Sequence, residues 1–337
     1  MNTPAWKNLH ELRPKIIPSL RAGFDAVASH IWLILLPIIV DLTIWLGPHL
    51  GIRKLLEPLL LEMSKMPVMD NTAMTESINV AQALWSTISE HFNLTMALRS
   101  YPVGTPSLMA NWLPLATPFG NPFYLEVEST SDAIGWWLIL SLVGLMIGAL
   151  YFSLIAKVTG KEALPITPGS LGWTTLQSLL LVFSLVLALI VLSIPVLVVL
   201  GSLTLVNPIL GQGALFLGGI LVVWLIVPLI FTPHGIFALR LPFVRALATS
   251  VQVVRFTYSG TGFFLLLMAV ISQGLDMLWQ VPKETSWLTL VGILGHGFVN
   301  TGVIAASFFY YRDSLRFVQE FLTQAQQAHQ AMSDVTK

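Results

Sequence analysis

Five polar side chains lie inside stretches of the chain that are otherwise strongly apolar, and they are the first candidates for chemistry. They are Asp41, Gln273, Asp276, His296 and Asn300. A carboxylate near an imidazole can exchange a proton, and a carboxylate in hydrocarbon must find a partner or water. One interpretation is therefore a proton- or cation-handling site. The alternative is a buried hydrogen-bonded cluster, or aspartates that snorkel to the membrane interface.

Signatures of enzymes are missing from the sequence. It contains no HExxH, P-loop, GxSxG or GxGxxG motif, and no cysteine. None of the seven histidines stands three or four residues from another, so no single helix presents a histidine pair to a metal. The most unusual local string is Gly295-His296-Gly297. We therefore predict a non-enzymatic protein with no cofactor and no metal.

The composition is that of a polytopic membrane protein. Of 337 residues, 55% are hydrophobic and 10% are charged, against about 25% charged in soluble domains. No Asp, Glu, Lys or Arg occurs between Ala163 and Leu239. The formal net charge is zero, so no basic field points to a nucleic-acid partner.

Hydropathy predicts six transmembrane helices in one all-α membrane domain that covers residues 1–337. Each is long enough to cross a hydrocarbon core of about 30 Å, or nearly so. We expect the third and fourth to form a hairpin whose turn is 201–213. The six predicted spans are 30–46, 134–156, 179–200, 214–231, 262–280 and 287–310.

The long polar region between the first two spans, 47–132, predicts a mainly helical extracytoplasmic cap. Apolar residues at helical spacing favour helices over 52–63 and 76–99. The segment 101–123 is rich in Pro and Gly and predicts a folded-back loop, and the alternation in 123–128 predicts one short strand.

The distribution of Lys and Arg sets the orientation. With both termini in the cytoplasm, twelve of the seventeen basic residues fall inside, which satisfies the positive-inside rule. We therefore expect a multi-pass protein of the inner (cell) membrane with a cytoplasmic tail, 311–337. The twelve residues are Lys7, Arg13, Lys15, Arg21, Lys157, Lys161, Arg240, Arg245, Arg255, Arg312, Arg316 and Lys337.

This topology makes a specific prediction for the polar cluster. Only residues 281–286 join the fifth and sixth spans, so these two helices are expected to be antiparallel neighbours. That arrangement brings Gln273 and Asp276 towards the level of His296. We predict that Asp276 and His296 interact, with Asp41 as a candidate third member.

Two further motifs have a functional and a structural interpretation. Gly144 and Gly148 form a GxxxG pair that predicts close approach of a neighbouring helix. The basic segment with Arg240, Arg245 and Arg255 is suited to docking a cytoplasmic partner or anionic lipid headgroups. It is also the pattern of an ordinary interfacial helix that obeys the positive-inside rule.

Surface segments 9–29, 162–175 and 241–259 each precede a predicted span, a rhythm that arises from duplication of a helical hairpin or by chance. Three strings near the start of the chain carry a family resemblance: Leu20-Arg21-Ala22-Gly23-Phe24, Trp32-Leu33-Ile34-Leu35-Leu36-Pro37 and Asp41-Leu42. In these strings the chain resembles uncharacterised bacterial multi-pass proteins, and its plan is similar to the membrane region associated with glycerophosphodiester phosphodiesterases. No phosphodiesterase domain is present, so the resemblance implies architecture and no activity.

Two functions follow as predictions. The first is a membrane component that binds or scaffolds a partner or lipid through the cap and the basic segment; the partners are membrane lipids and a membrane or cytoplasmic protein. The alternative is a permease for a small or lipid-like substrate that uses the polar cluster of Asp41, Gln273, Asp276, His296 and Asn300. An open cavity at this cluster favours the permease, and a closed bundle favours the scaffold.

Overall fold

The computed structural model describes residues 12–65, 72–112, 114–160 and 165–335. Nearly all of its regular structure is helical. Lys7, Lys161 and Lys337, which contribute to the predicted orientation, lie outside the described residues. The helices are α1 (Ile16–Ser29), α2 (Leu35–Leu46), α3 (Arg53–Ser64), α4 (Thr72–His91), α5 (Met109–Trp112), α6 (Thr130–Thr159), α7 (Pro168–Val206), α8 (Pro208–Ile226), α9 (Thr232–Leu239), α10 (Phe243–Trp279) and α11 (Thr289–Val335), and the strands are β1 (His49–Gly51) and β2 (Tyr124–Glu126).

The all-α, multi-pass character of the fold is confirmed. Five helical segments of the described chain are long and apolar enough to cross a membrane: Thr130–Thr159, Pro168–Val206, Pro208–Leu239, Phe243–Trp279 and Thr289–Gln330. The pair Ile16–Ser29 and Ile31–Leu46, bent at its break, makes a sixth if it is counted as one span.

The first predicted span, 30–46, is not one regular helix. A 3-10 turn, Ile31–Ile34, precedes α2, and α1 has already ended at Ser29. Pro37 is the third residue of α2, where the missing backbone N–H has no helical acceptor to lose. The apolar run is therefore shared between a turn and a short helix.

The turn predicted over 201–213 shrinks to the single residue Asn207. Helix α7 continues to Val206, and α8 begins at Pro208. The Asn207 side chain accepts a hydrogen bond from the Ile209 N–H at 2.8 Å, which caps α8, and Pro208 suits the first helical position. The boundary between α7 and α8 is therefore set by the cap at Asn207 and not by the glycines of the segment 201–213.

Helix α10 is broken without a proline. Thr257 has non-helical dihedral angles (φ −120°, ψ 20°) inside it, so the segment 243–256 is distinct from the segment 258–279. A break therefore separates a surface segment from a span at two of the three predicted positions, His30 and Thr257. At the third, α7 runs from Pro168 without a break.

By its contacts the chain divides into two compact units. The first unit comprises Met1–His30, Phe152–Ile271 and Gly302–Lys337, and half of the residues in its buried hydrophobic cluster are aromatic. Phe264 and Tyr310 stack with ring centroids 4.1 Å apart. Helix α1 lies against α11 so closely that a Cβ on Gly23 would be 2.4 Å from the Ala306 nitrogen. The glycine of the Leu20–Phe24 motif is thus required by packing.

The second unit comprises Ile31–Tyr151 and Ser272–Thr301. Strands β1 and β2 form a two-stranded parallel pair, with Leu50 opposite Leu125. Buried Asn93 fixes the connection after α4, because its amide oxygen accepts from the N–H groups of Leu50 (2.9 Å) and Thr95 (3.1 Å). The predicted helix 76–99 consequently ends at His91, and a 3-10 turn, Leu94–Leu98, follows.

Gly144 and Gly148 permit a close approach, but the prediction of a neighbouring helix is corrected. A Cβ on Gly144 would lie 2.3 Å from the Leu98 carbonyl oxygen, and one on Gly148 would lie 2.6 Å from the Gly104 Cα. The partner is thus the irregular backbone of the predicted cap. Gly148 lies about 21 Å along α6 from the predicted start of its span at 134. We call residues 94–112 the inserted segment, because it packs on the flank of α6 and not on top of it.

Candidate functional site

The Asp276–His296 contact predicted from the short 281–286 connection is present in the second unit. His296 Nδ1 lies 2.6 Å from Asp276 Oδ1. Both residues are buried, with 1% of His296 and 5% of Asp276 exposed. Helices α10 and α11 supply one partner each, so the pair joins the two arms of a helical hairpin.

Asn300 completes the pair one turn further along α11. Its Nδ2 donates to the His296 carbonyl oxygen at 3.2 Å, and its Oδ1 accepts from the Ser272 hydroxyl at 2.5 Å. Asn300 Nδ2 also lies 3.1 Å from His296 Nδ1. With the proton on Nδ1, His296 donates to the Asp276 carboxylate, and Nδ1 is then not an acceptor for Asn300. Ser272 was not among the predicted site residues.

The other imidazole nitrogen is what makes the pair chemically interesting. His296 Nε2 is buried and has no hydrogen-bond partner in the described part of the chain. Buried polar atoms without a partner are rare in proteins, so Nε2 is the atom of this pair that stands out. No group of three or more His, Asp or Glu side chains among the described residues is arranged to hold a metal ion.

The two glycines beside His296 have different surroundings. A Cβ on Gly295 would lie 2.7 Å from the Trp279 indole ring, whereas one on Gly297 would meet Ile38 at an ordinary 3.7 Å. Trp279 therefore covers the helix face next to the histidine, and only Gly295 is required by this contact.

Asp41 does not join the pair by a hydrogen bond, so its predicted role as third member is corrected. Its carboxylate accepts from the Ser107 hydroxyl (2.5 Å) and from the N–H groups of Leu108 (3.1 Å) and Met109 (3.0 Å). Asp41 is fully buried.

The Asp41 contacts show what that carboxylate does. Ser107 Oγ in turn accepts from the Ala110 N–H at 3.0 Å, so Asp41 and Ser107 together satisfy the first N–H groups of α5. Irregular backbone that is buried needs such hydrogen-bond partners. Asp41 therefore anchors the inserted segment. Ser107 was missed because only a contact 66 residues away in sequence reveals it.

Gln273 does not belong to the cluster. Its side chain is exposed, whereas Asp276 is buried. At 3.6 residues per turn Ser272 lies about 40° from Asp276 around the helix, and Gln273 lies about 60° away in the opposite sense. The face of α10 that meets His296 and Asn300 is the one that carries Ser272 and Asp276. Gln273 points away from this face, and for this reason its predicted place in the cluster is wrong.

The three arginines of the basic segment, all in the first unit, differ in their surroundings. Arg240 ends α9 in the left-handed conformation (φ 52°), and its guanidinium donates to the Pro165 carbonyl at 3.1 Å. Arg245 and Arg255 are exposed on α10 and form no ion pair with any described residue. Only the last two are free for an external anion.

A search against protein-family models, curated proteins and solved structures finds no match. The resemblance carried by Leu20–Phe24 therefore stays a prediction. The functional inference rests on the geometry of this chain.

Proposed function

We propose that this protein is a non-enzymatic inner-membrane component with both termini in the cytoplasm, and that it binds anionic phospholipid along the segment 243–256 of α10. The observation that carries the proposal is the pair of exposed arginines, Arg245 and Arg255, which no described carboxylate neutralises. Val244 and Val251 are exposed beside them. Cationic and apolar side chains together on one surface are typical of a helix that lies in the membrane interface.

The break at Thr257 supports this arrangement. The segment 258–279 alone is about 33 Å long, which matches a hydrocarbon core of about 30 Å. The preceding segment 243–256 is thus not needed to cross the membrane. Each basic residue near an anionic surface contributes about 1 kcal/mol of attraction, so Arg245 and Arg255 favour anionic over zwitterionic lipid by about tenfold to thirtyfold.

The orientation is tested first, because the proposal needs this segment on the cytoplasmic side. The chain lacks cysteine, so single cysteines at Ser131, Ser170 and Ser259 report their own exposure. We expect an impermeant thiol reagent outside intact cells to label only Ser131→Cys. Labelling of Ser259→Cys from outside would contradict the topology.

Lipid binding is then tested by purifying the protein in mild detergent and identifying the lipids and proteins that accompany it. We expect enrichment of anionic phospholipid over its share of the membrane, and its loss in the Arg245→Gln/Arg255→Gln double variant. Arg21→Gln is the matched control, because Arg21 is exposed but already faces Asp25 at 3.6 Å. Enrichment of one protein, lost in the double variant while the lipid profile stays unchanged, would replace the lipid by a protein partner.

A second candidate function, a permease that couples transport to a proton, is favoured by one observation: the buried His296 Nε2 without a partner. The opposing observation is that Asp276 and His296 are closed off from solvent in this structure. The test is proton flux into vesicles that hold a pH-sensitive dye. Flux that depends on both Asp276 and His296 would establish the permease, and the absence of flux would exclude it.

A further inference from the structure

A pocket of about 370 Å³ opens in the first unit at the break in α10. Arg13 and Pro14 border it from the chain before α1, the residues around Thr257 border it from α10, and Phe317 borders it from α11. We propose that this pocket binds the phosphate group of an anionic phospholipid. The inference rests on the proposed function and deepens it, because it assigns a defined headgroup site in addition to the general attraction of Arg245 and Arg255.

The polar side of the pocket is suited to phosphate. Arg13 is exposed and pairs with no described carboxylate, and guanidinium binds phosphate oxygens through two parallel hydrogen bonds. Tyr258 and Ser259 add hydroxyl groups at the pocket wall, both on exposed residues. None of the residues that line the pocket is an Asp or a Glu, so no carboxylate repels the anion.

The break in α10 shapes this wall. The Thr257 hydroxyl donates to the Val253 carbonyl at 2.8 Å, which holds the end of the first segment of α10. The dihedral angles of Thr257 change the direction of the chain where Tyr258 and Ser259 begin the second segment of α10. Arg13 and the two hydroxyls therefore border one opening.

The pocket is also lined by Phe256 and Phe317, and this apolar surface favours a lipid over free phosphate. Phe321 is outside the lining but packs against both rings, with centroids 5.4 Å from Phe256 and 6.4 Å from Phe317. Phe256 is 39% exposed and Phe321 is 38% exposed, so both rings offer apolar surface near the pocket. In the proposed complex the pocket holds the headgroup, and the acyl chains lie outside it along these rings.

The test uses the full-length protein in nanodiscs of phosphatidylcholine with or without a minor fraction of phosphatidylglycerol, and native mass spectrometry counts the retained lipids. We expect Arg13→Gln to weaken retention of phosphatidylglycerol by about tenfold and Tyr258→Phe by about threefold, as fits loss of a charged and a neutral hydrogen bond. Arg21→Gln, which also removes one exposed positive charge from the N-terminal region, is expected to retain the lipid as the wild type does. Equal retention in Arg13→Gln and Arg21→Gln would overturn the pocket.

Two further comparisons distinguish lipid phosphate from free phosphate, and the pocket proposal from the proposed function. If inorganic phosphate displaces the lipid and also stabilises the protein when no phosphatidylglycerol is present, free phosphate is the ligand. If Arg245→Gln/Arg255→Gln lowers retention but Arg13→Gln does not, the pocket fails and the proposed function stands. If neither variant lowers retention of phosphatidylglycerol, both proposals fail.

Discussion

Replacing Asp41 tests the anchoring of the inserted segment. Its carboxylate accepts three hydrogen bonds, two of them from the backbone N–H groups of Leu108 and Met109. Asp41→Asn turns one acceptor oxygen into a donor, which leaves one buried N–H unsatisfied at a cost of about 1–3 kcal/mol. Asp41→Ala leaves both backbone donors unsatisfied, and we expect a loss of about 3–5 kcal/mol in the free energy of unfolding. Ser107→Ala removes one hydroxyl donor to Asp41 and also leaves the Ala110 N–H without its acceptor, so we expect a loss of about 1–3 kcal/mol.

The assay has a global and a local readout. Unfolding in mixed micelles gives the stability, and hydrogen exchange of peptides that cover 107–112 gives the protection of the two amides. Thr43→Val is the matched control on the same helix, because the exposed Thr43 hydroxyl bonds only to the Ile39 carbonyl of its own helix. If Asp41→Asn matches this control in stability and leaves exchange over 107–112 unchanged, the anchoring role is refuted.

Three more predictions follow from contacts in the second unit, with one comparison in the first. Gly148→Leu should lower the melting temperature strongly, whereas Gly213→Leu should not. A Cβ on Gly148 would meet neighbouring backbone within 4 Å, and a Cβ on Gly213 would meet nothing within that distance. Equal melting temperatures of the two variants would mean that the packing at α6 is loose. Burial lowers the pKa of His49, so folding disfavours its charged imidazole. Stability should therefore be retained above the unfolded pKa of about 6.5 and decrease as pH falls below it. Unfolding measured against pH should show a shallower decrease in His49→Gln, and an unchanged slope would contradict this sign. Asp276→Asn and His296→Gln should each lower the free energy of unfolding. The loss in the double variant should be smaller than the sum of the two single losses by about 1 kcal/mol or more. Strictly additive losses would show that the two side chains do not interact.

The sequence predicted those features that depend on local pattern. Uncharged apolar runs such as 163–239 identify membrane-length helices because every span must be apolar along its length. The contact of Asp276 with His296 was also within reach, since the connection 281–286 is too short for the two helices to separate. Where chain connectivity fixes the neighbour, the residue pair follows.

The features that were not predicted depend on contacts between distant parts of the chain. The anchoring of Ser107 by Asp41 joins residues 66 positions apart, and no periodicity in the Pro- and Gly-rich segment indicates it. The break at Thr257 could not be predicted from a proline, because none occurs there. Gln273 was wrongly assigned to the polar cluster because its polar side chain and its position along the helix both fitted. Only its angular position around α10 excludes it from the cluster.

The most direct measurement for the proposed function is electron paramagnetic resonance of spin-labelled lipids around the protein reconstituted in phosphatidylcholine vesicles. The motionally restricted fraction compares the association of labelled phosphatidylglycerol with that of labelled phosphatidylcholine. We predict a preference for phosphatidylglycerol of about tenfold or more in the wild type at low salt, reduced by high salt and by Arg245→Gln/Arg255→Gln. Equal restriction of the two lipids, or a preference unchanged in that double variant, would contradict lipid binding by the segment 243–256.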